Sequence, residues 1–192
     1  IFIDIEPDYY TIDVKKIEEK INNKTKAIIA VHLFGQPCNL DAIQSLCEKY
    51  NLFLIEDCAQ AHLAEYKNKK VGTFGKIATF SFFPGKNLGA YGDAGAIITN
   101  DDILAKQVKM FSNHGSLIKH EHEVEGINSR LDGIQAAILS VKMQYIEEWT
   151  SLRIKNAKVY SEILKEIPSV ITPKIDNNVK HVFHLYVIRC KN

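Results

Sequence analysis

Charge of one sign accumulates nowhere in this chain: 24 lysines and arginines stand against 23 aspartates and glutamates, a net charge of +1. Nucleic-acid binding is driven by clustered cations that neutralise phosphates, and no basic block is present, so nucleic acid is not an expected partner. No apolar run is long enough to cross a bilayer and no secretory signal opens the chain. A soluble, cytoplasmic protein without a membrane partner is expected. Only four cysteines occur, Cys38, Cys47, Cys58 and Cys190. They form no CxxC pair and no zinc-like spacing, so free thiols in a reducing compartment are the expected state and no metal is expected. Internal repeats and low-complexity linkers are missing as well.

What is present is apolar: 46% of 192 residues, enough to bury a core in one domain or one and a part. The chain begins IFIDIEPDYY, strand-like and without an initiator Met, and stops at HVFHLYVIRCKN just after another strand-like run. Both edges read as cuts through folded structure, as expected of a fragment. FIDI (2–5) predicts a strand, and Asp13 predicts the cap of a helix facing inward through Val14, Ile17 and Ile21. KAIIAVHLF (26–34) is a β-rich run, and Asn39 caps a second helix whose face is Leu40, Ile43, Cys47 and Tyr50. LFLIED (52–57), IATFSFF (77–83) and GAIIT (95–99) predict further strands, and Ile103, Leu104, Val108 and Phe111 another helix. Strands alternating with helices imply parallel neighbours with helices on the faces, hence an α/β fold with a mostly parallel sheet.

From Leu131 to Ile167 the apolar residues stay near the 3.6-residue period, which predicts a long helix with a kink or break around 149–153. TPKI (172–175) and the strand-like HVFHLYVIR (181–189) are then expected to begin a second, smaller domain. The expected division is a large domain over 1–130, a connecting helical region over 131–167 and the start of a small C-terminal domain over 168–192.

Chemistry concentrates in SFFPGKNLGAYGDAGAIIT, residues 81–99, where Lys86 stands among Gly85, Gly89, Gly92 and Gly95 between two strand-like runs. Most loop lysines are solvated and most aspartates after a strand are caps or surface carboxylates. Glu56 beside Asp57 shows that an acid alone is not distinctive. A phosphate-binding P-loop is excluded because GxxxxGK[ST] has no match, and GxGxxG is absent. Pyridoxal phosphate (PLP) asks for a different set of groups. A lysine amine forms a Schiff base with it, a carboxylate keeps its pyridine nitrogen protonated, and hydroxyls with backbone N–H groups hold its phosphate. Lys86, Asp57 and Ser81 have these chemistries, and the small glycines let backbone approach a cofactor closely.

EDCAQAHLAEY, VGTFGKIATFSFFPGKNLGAYGDAGAIITND, NHG and NSRLDGIQAAIL resemble, in order and over nearly the whole chain, the PLP-dependent sugar aminotransferases of the DegT/DnrJ/EryC1/StrS family. HLFGQPCNLDAI is similar to the branch that aminates sugars on nucleotide carriers, with C3 as the expected carbon. The resemblance implies the fold type I of aspartate aminotransferase. It implies Lys86 as the lysine of the internal aldimine, Asp57 as the partner of the pyridine nitrogen and Gln60 as the side chain beside the ring. Ser81 becomes a phosphate contact, and Asn128 a phosphate contact donated by the other subunit of a homodimer with a shared active site. L-Glutamate is the implied amino donor and a keto sugar on a nucleoside diphosphate the acceptor, in amino-sugar biosynthesis for surface polysaccharides or glycosides. Arg130 is the one expected substrate contact; Lys119, His120, His122, His181 and His184 are weaker candidates for the diphosphate or the sugar.

Two positions depart from the family pattern, Ala94 and Leu63, each standing where glycine is common, and Leu63 is strained if its φ must be positive. The family's upstream segment, which gives a helix N-terminus to the phosphate and a residue stacked on the ring, is not in the sequence. Three rivals follow: a non-catalytic remnant or regulatory protein of the same fold, a PLP dehydratase that uses His in place of the lysine, and a generic nucleotide-binding α/β module. Lys86 opposes the second, and the absence of a phosphate loop opposes the third.

Overall fold

The computed structural model of the chain describes residues 1–191. Asp13 accepts the amide of Lys15 and caps α1 (Val14–Ile17), a single turn that tightens into a 3-10 turn ending at Lys20. Ile17 is buried there. β1 (Ala27–Val31) and β2 (Phe53–Asp57) are parallel, from Ala27 opposite Phe53 to Val31 opposite Asp57. Parallel neighbours need a crossover, and α2 (Leu40–Tyr50) supplies it. Asn39 caps α2 by accepting the Ala42 amide at 3.3 Å, and Asn51 ends it at φ 51°. Leu40, Ile43 and Cys47 form its buried face and share one core with Ala30, Ala61 and Ala78, whose small side chains let the helix lie close to the sheet.

β3 (Glu65–Tyr66) and β4 (Lys69–Lys70) form a hairpin around Lys67 and Asn68, at φ 48° and 63°, the left-handed pair that a two-residue turn needs to match strand twist. β5 (Ile77–Ser81) lies parallel to β2 on its far side, and β6 (Gly95–Ile98) closes the sheet antiparallel to β5. The sheet order is therefore β1-β2-β5-β6. After α3 (Asp102–Phe111), capped by Asp101, come α4 (Gly133–Met143) and α5 (Ile146–Leu164). The last residues return to what precedes them: β7 (Val170–Ile171) pairs with β9 (Arg189–Cys190), β8 (Val179–Lys180) pairs with β3, and Val182 joins the main core. Among the described residues no helix is long and apolar enough to cross a membrane.

Several sequence expectations are corrected. FIDI is not a strand; Ile5 makes a single antiparallel bridge to Ile12, and Phe2 is fully exposed. The run 26–34 leaves the sheet after Val31, because Phe34 turns at φ 59°. The helical region breaks at Gln144 and Tyr145, ahead of the expected 149–153, which is continuous helix. Two helices whose apolar faces keep one period leave no mark at their junction. HVFHLYVIR is strand only at its end, since Phe183 turns at φ 46° and His181 accepts the Phe183 amide at 2.9 Å.

Candidate active site

β5 delivers Ser81 to its C-terminal end, and the chain then makes a compact loop before returning as β6. Phe82 donates to the Ala94 carbonyl at 2.8 Å, Ala90 to the Phe82 carbonyl at 2.7 Å, and Lys86 to the Phe83 carbonyl at 2.9 Å. Gly89 makes this fold-back possible, because a Cβ there would overlap the Pro84 carbonyl oxygen. The loop borders a cavity of about 1050 Å³ whose lining includes Ser81, Lys86, Asp93, Gly95, Arg130 and Leu131. Among the described residues the Lys86 Nζ takes part in no hydrogen bond or ion pair. Such an amine is available for covalent chemistry.

Asp57 ends the neighbouring strand β2. Its Oδ1 accepts the Ala59 amide at 3.0 Å, and its Oδ2 has no partner among the described residues. Gln60, three residues on, is already committed through Oε1 to the Phe34 amide at 2.6 Å. Asn128 pairs with Asn113 across an antiparallel bridge, and Arg130 spans the two, donating to Asn128 Oδ1 and to Asn113 Oδ1, each at 3.3 Å. Of the six expected site residues, Ser81, Lys86 and Arg130 thus share one cavity, whereas Asp57, Gln60 and Asn128 do not line it. An unpaired amine and a hydroxyl on one cavity, with a carboxylate that has a free oxygen at the end of the adjacent strand, are the kinds of donor that PLP needs. The residues present fit that group.

The histidines separate by environment. His120 and His122 are exposed, with His122 Nδ1 donating to the His114 carbonyl at 2.8 Å. His181 is buried, stacked on Phe183 at 4.0 Å, and burial pushes it down to about 3. His184 lies 3.1 Å through Nδ1 from Asn87 Oδ1; burial, then the charges of Lys86 and Arg153, push it down to about 4. His62 is 4% exposed between the rings of Phe80 and Phe82, with neither ring nitrogen hydrogen-bonded. Burial, and after it His184 and Lys86, hold it near 4. His62, Asn87 and Arg153 were not among the expected site residues. Asn87 follows Lys86 directly, which was the available signal; Arg153 sits mid-helix and carried none.

Leu63 does stand at φ 65°. The left-handed region costs a branched residue about 1–2 kcal/mol, and the side chain offsets part of this by packing against both core clusters. Ala94 keeps its role through its backbone, whose carbonyl closes the Lys86 loop.

A family model described as the DegT/DnrJ/EryC1/StrS aminotransferase family matches residues 1–192. A pleiotropic regulatory protein of Geobacillus stearothermophilus is 50% identical over 191 residues, 98% of this chain and 51% of the relative. The dTDP-3-amino-3,6-dideoxy-alpha-D-galactopyranose transaminase of Aneurinibacillus thermoaerophilus is 50% identical over 189 residues, 97% of this chain and 52% of the relative. Among solved structures, S. venezuelae DesV in complex with a ketimine intermediate superposes with a TM-score of 0.96 at 38% identity, over 99% of this chain and 51% of that one. The chain spans about half the length of the curated relatives it matches.

Proposed function

The chain belongs to the DegT/DnrJ/EryC1/StrS aminotransferase family, with the type I fold of PLP-dependent transferases, and from that premise we propose that it forms the lysine-bearing part of a nucleotide-sugar aminotransferase. The reaction moves an amino group from L-glutamate to a keto sugar on a nucleoside diphosphate. C3 is the aminated carbon, the position carried in the name of the Aneurinibacillus relative. The observation that carries the reading is the unpartnered Lys86 amine on one cavity with Ser81 and Arg130.

Bound PLP supplies an electron sink for the carbon that loses its proton. Lys86 Nζ, free of partners among the described residues, would hold the cofactor covalently and would serve as the amine that accepts and returns a proton at the donor's α-carbon. Asp57 would offer its carboxylate to the ring nitrogen. Gln60 would be the side chain beside the ring, Ser81 Oγ would donate to the phosphate, and Asn128 would serve the phosphate of the other subunit in a homodimer. Arg130, a planar fork of donors, meets the diphosphate.

The test is an absorbance spectrum of the protein at its full native length with PLP, before and after L-glutamate. Conversion of a lysine-bound band into the amine form supports the reading, and a folded protein that never gives that band overturns it. In that event the second reading, a regulatory protein of the same fold, takes over; the name of the Geobacillus relative favours it, while Lys86, Asp57, Ser81 and Asn128 together oppose it.

A further inference from the structure

The segment 182–185 is pinned beside the Lys86 loop from three directions. Val182 donates to the Gly35 carbonyl at 3.1 Å, Leu185 to the Phe34 carbonyl at 3.4 Å, and Arg153 of α5 to the Phe183 carbonyl at 3.5 Å. Asn87, only 6% exposed, joins the same segment through both ends of its amide. Its Nδ2 donates to the Val182 carbonyl at 3.4 Å, which orients the amide, and its Oδ1 then faces His184 Nδ1 at 3.1 Å. An amide oxygen can only accept. The proton of the His184 ring therefore sits on Nδ1, and in the neutral ring Nε2 carries a bare lone pair. Among the described residues that nitrogen has no partner, and it is not among the fully buried unpartnered atoms. His184 is half-buried, and its partner Asn87 follows the proposed covalent lysine directly in the chain.

We propose that His184 Nε2 is the acceptor that recognises a hydroxyl group of the sugar, and that Asn87 is the positioning residue that fixes the tautomer presenting it. The inference rests on the nucleotide-sugar reading above. A bare lone pair repels a phosphate or carboxylate and asks for an N–H or O–H donor; the hydroxyls of a sugar ring offer such donors and the ionised diphosphate does not. Burial and the neighbouring charges of Lys86 and Arg153 keep the ring unprotonated at neutral pH, so it does not turn into a donor there. An acceptor that discriminates by hydrogen bonding rejects a ligand lacking the matching group.

Calorimetric titration of the full-length protein tests this with two ligand pairs, dTDP against dTDP-glucose and UDP against UDP-N-acetylglucosamine. The wild type is expected to bind the sugar nucleotide of one pair more tightly than the bare nucleotide. His184→Phe and Asn87→Leu are expected to lose about tenfold of the sugar nucleotide's affinity, the size of one hydrogen bond, while the bare nucleotide binds as before. Asn87→Asp, which still accepts from Nδ1–H, should restore the sugar increment. No sugar increment in either wild-type pair, an equal loss for both members of a pair, or variants that bind the sugar nucleotide like wild type would each overturn the proposal. The spectral response of the wild type to L-glutamate judges the aminotransferase reading separately.

Discussion

His32 Nε2 lies 3.2 Å from Glu56 Oε1, and both side chains are wholly buried. His32 Nδ1 accepts the Cys38 amide at 3.1 Å, so the ring proton is on Nε2 and points at the carboxylate. Glu56 also accepts the amides of Gly72, Phe74 and Gly75 at 2.6–2.8 Å. Cys58 approaches the same pair, giving a trio whose ligand atoms lie within 4.8 Å, but the hydrogen bonds already use the imidazole and the carboxylate. Glu56 is thus the structural acid that ties the 72–75 loop to the sheet, and Asp57, on the opposite face of the strand, is left for chemistry.

Burial opposes ionisation of Glu56, yet its bonds from His32, Gly72 and Gly75 outweigh it and hold the carboxyl below its ordinary 4.5. A depressed value in the folded state means that ionisation stabilises the fold above about pH 4.5 and that this contribution is lost as pH falls through the folded value. Glu56→Gln offers one acceptor oxygen to four donors, and the cost should be about 3 kcal/mol or more. Urea unfolding at neutral pH measures it. The difference between wild type and variant should shrink in acid, and a gap that stays constant down to pH 3 would contradict the role.

The alternation of strands and helices was legible because α2 and the central strands carry their apolar residues at clean periods, with Asp13 and Asn39 as caps. The ends were not, because IFIDI and HVFHLYVIR have strand composition but lie where the backbone turns, at Tyr10 φ 61° and Phe183 φ 46°, for tertiary reasons that composition does not encode. At the site, Lys86, Ser81 and Arg130 were named from motif and resemblance, and the fold brings the three to one cavity. The Asn87–His184 contact spans 97 positions, and no local pattern marks a pair that far apart. The cysteine spacing was silent about His32, Glu56 and Cys58, which the parallel register of β1 and β2 brings together.

Gly115 should resist any side chain. It sits at φ 75°, and a Cβ would overlap the Val124 carbonyl oxygen. Its own carbonyl accepts the Glu123 amide at 2.9 Å, closing the loop that leads to Asn128 and Arg130. Gly115→Ala is expected to cost at least about 2 kcal/mol, the left-handed penalty plus the displaced loop. Amide exchange at Glu123 should accelerate more than at Ile28 in β1; equal acceleration at both sites would mean that the loop is not the part released.

Thiol chemistry should divide the cysteines sharply. Cys190 is exposed, whereas Cys38 and Cys58 are wholly buried. Burial pushes the Cys38 thiol up to about 12, and burial with the charges of Glu56 and Asp57 also raises Cys58. A disulfide reagent at pH 8 is expected to modify Cys190 quickly, with Cys38 and Cys58 reacting only in denaturant, because the thiolate is the nucleophile and these two neither form it nor reach solvent. Rapid modification of Cys58 in the native protein would show that the His32–Glu56 core opens.

Lys86 and Asp57 should fail in different ways. Lys86→Ala removes an amine with no partner of its own, so the unfolding midpoint in urea should hold, while borohydride reduction after PLP addition should leave no cofactor mass on the protein. Asp57→Asn keeps an oxygen for the Ala59 amide, so the fold should again survive, and the lysine should still take up the cofactor. What the amide cannot supply is the negative charge that holds a proton on the ring nitrogen. Loss of a preorganised charge of this kind costs on the order of 100-fold in rate, to be read as slower spectral conversion by L-glutamate at saturating PLP. A Lys86→Ala variant that transaminates would sink the covalent role, and an Asp57→Asn variant as fast as wild type would move the ring's partner elsewhere, with Glu56 unable to replace it because all four of its donors are inside the fold.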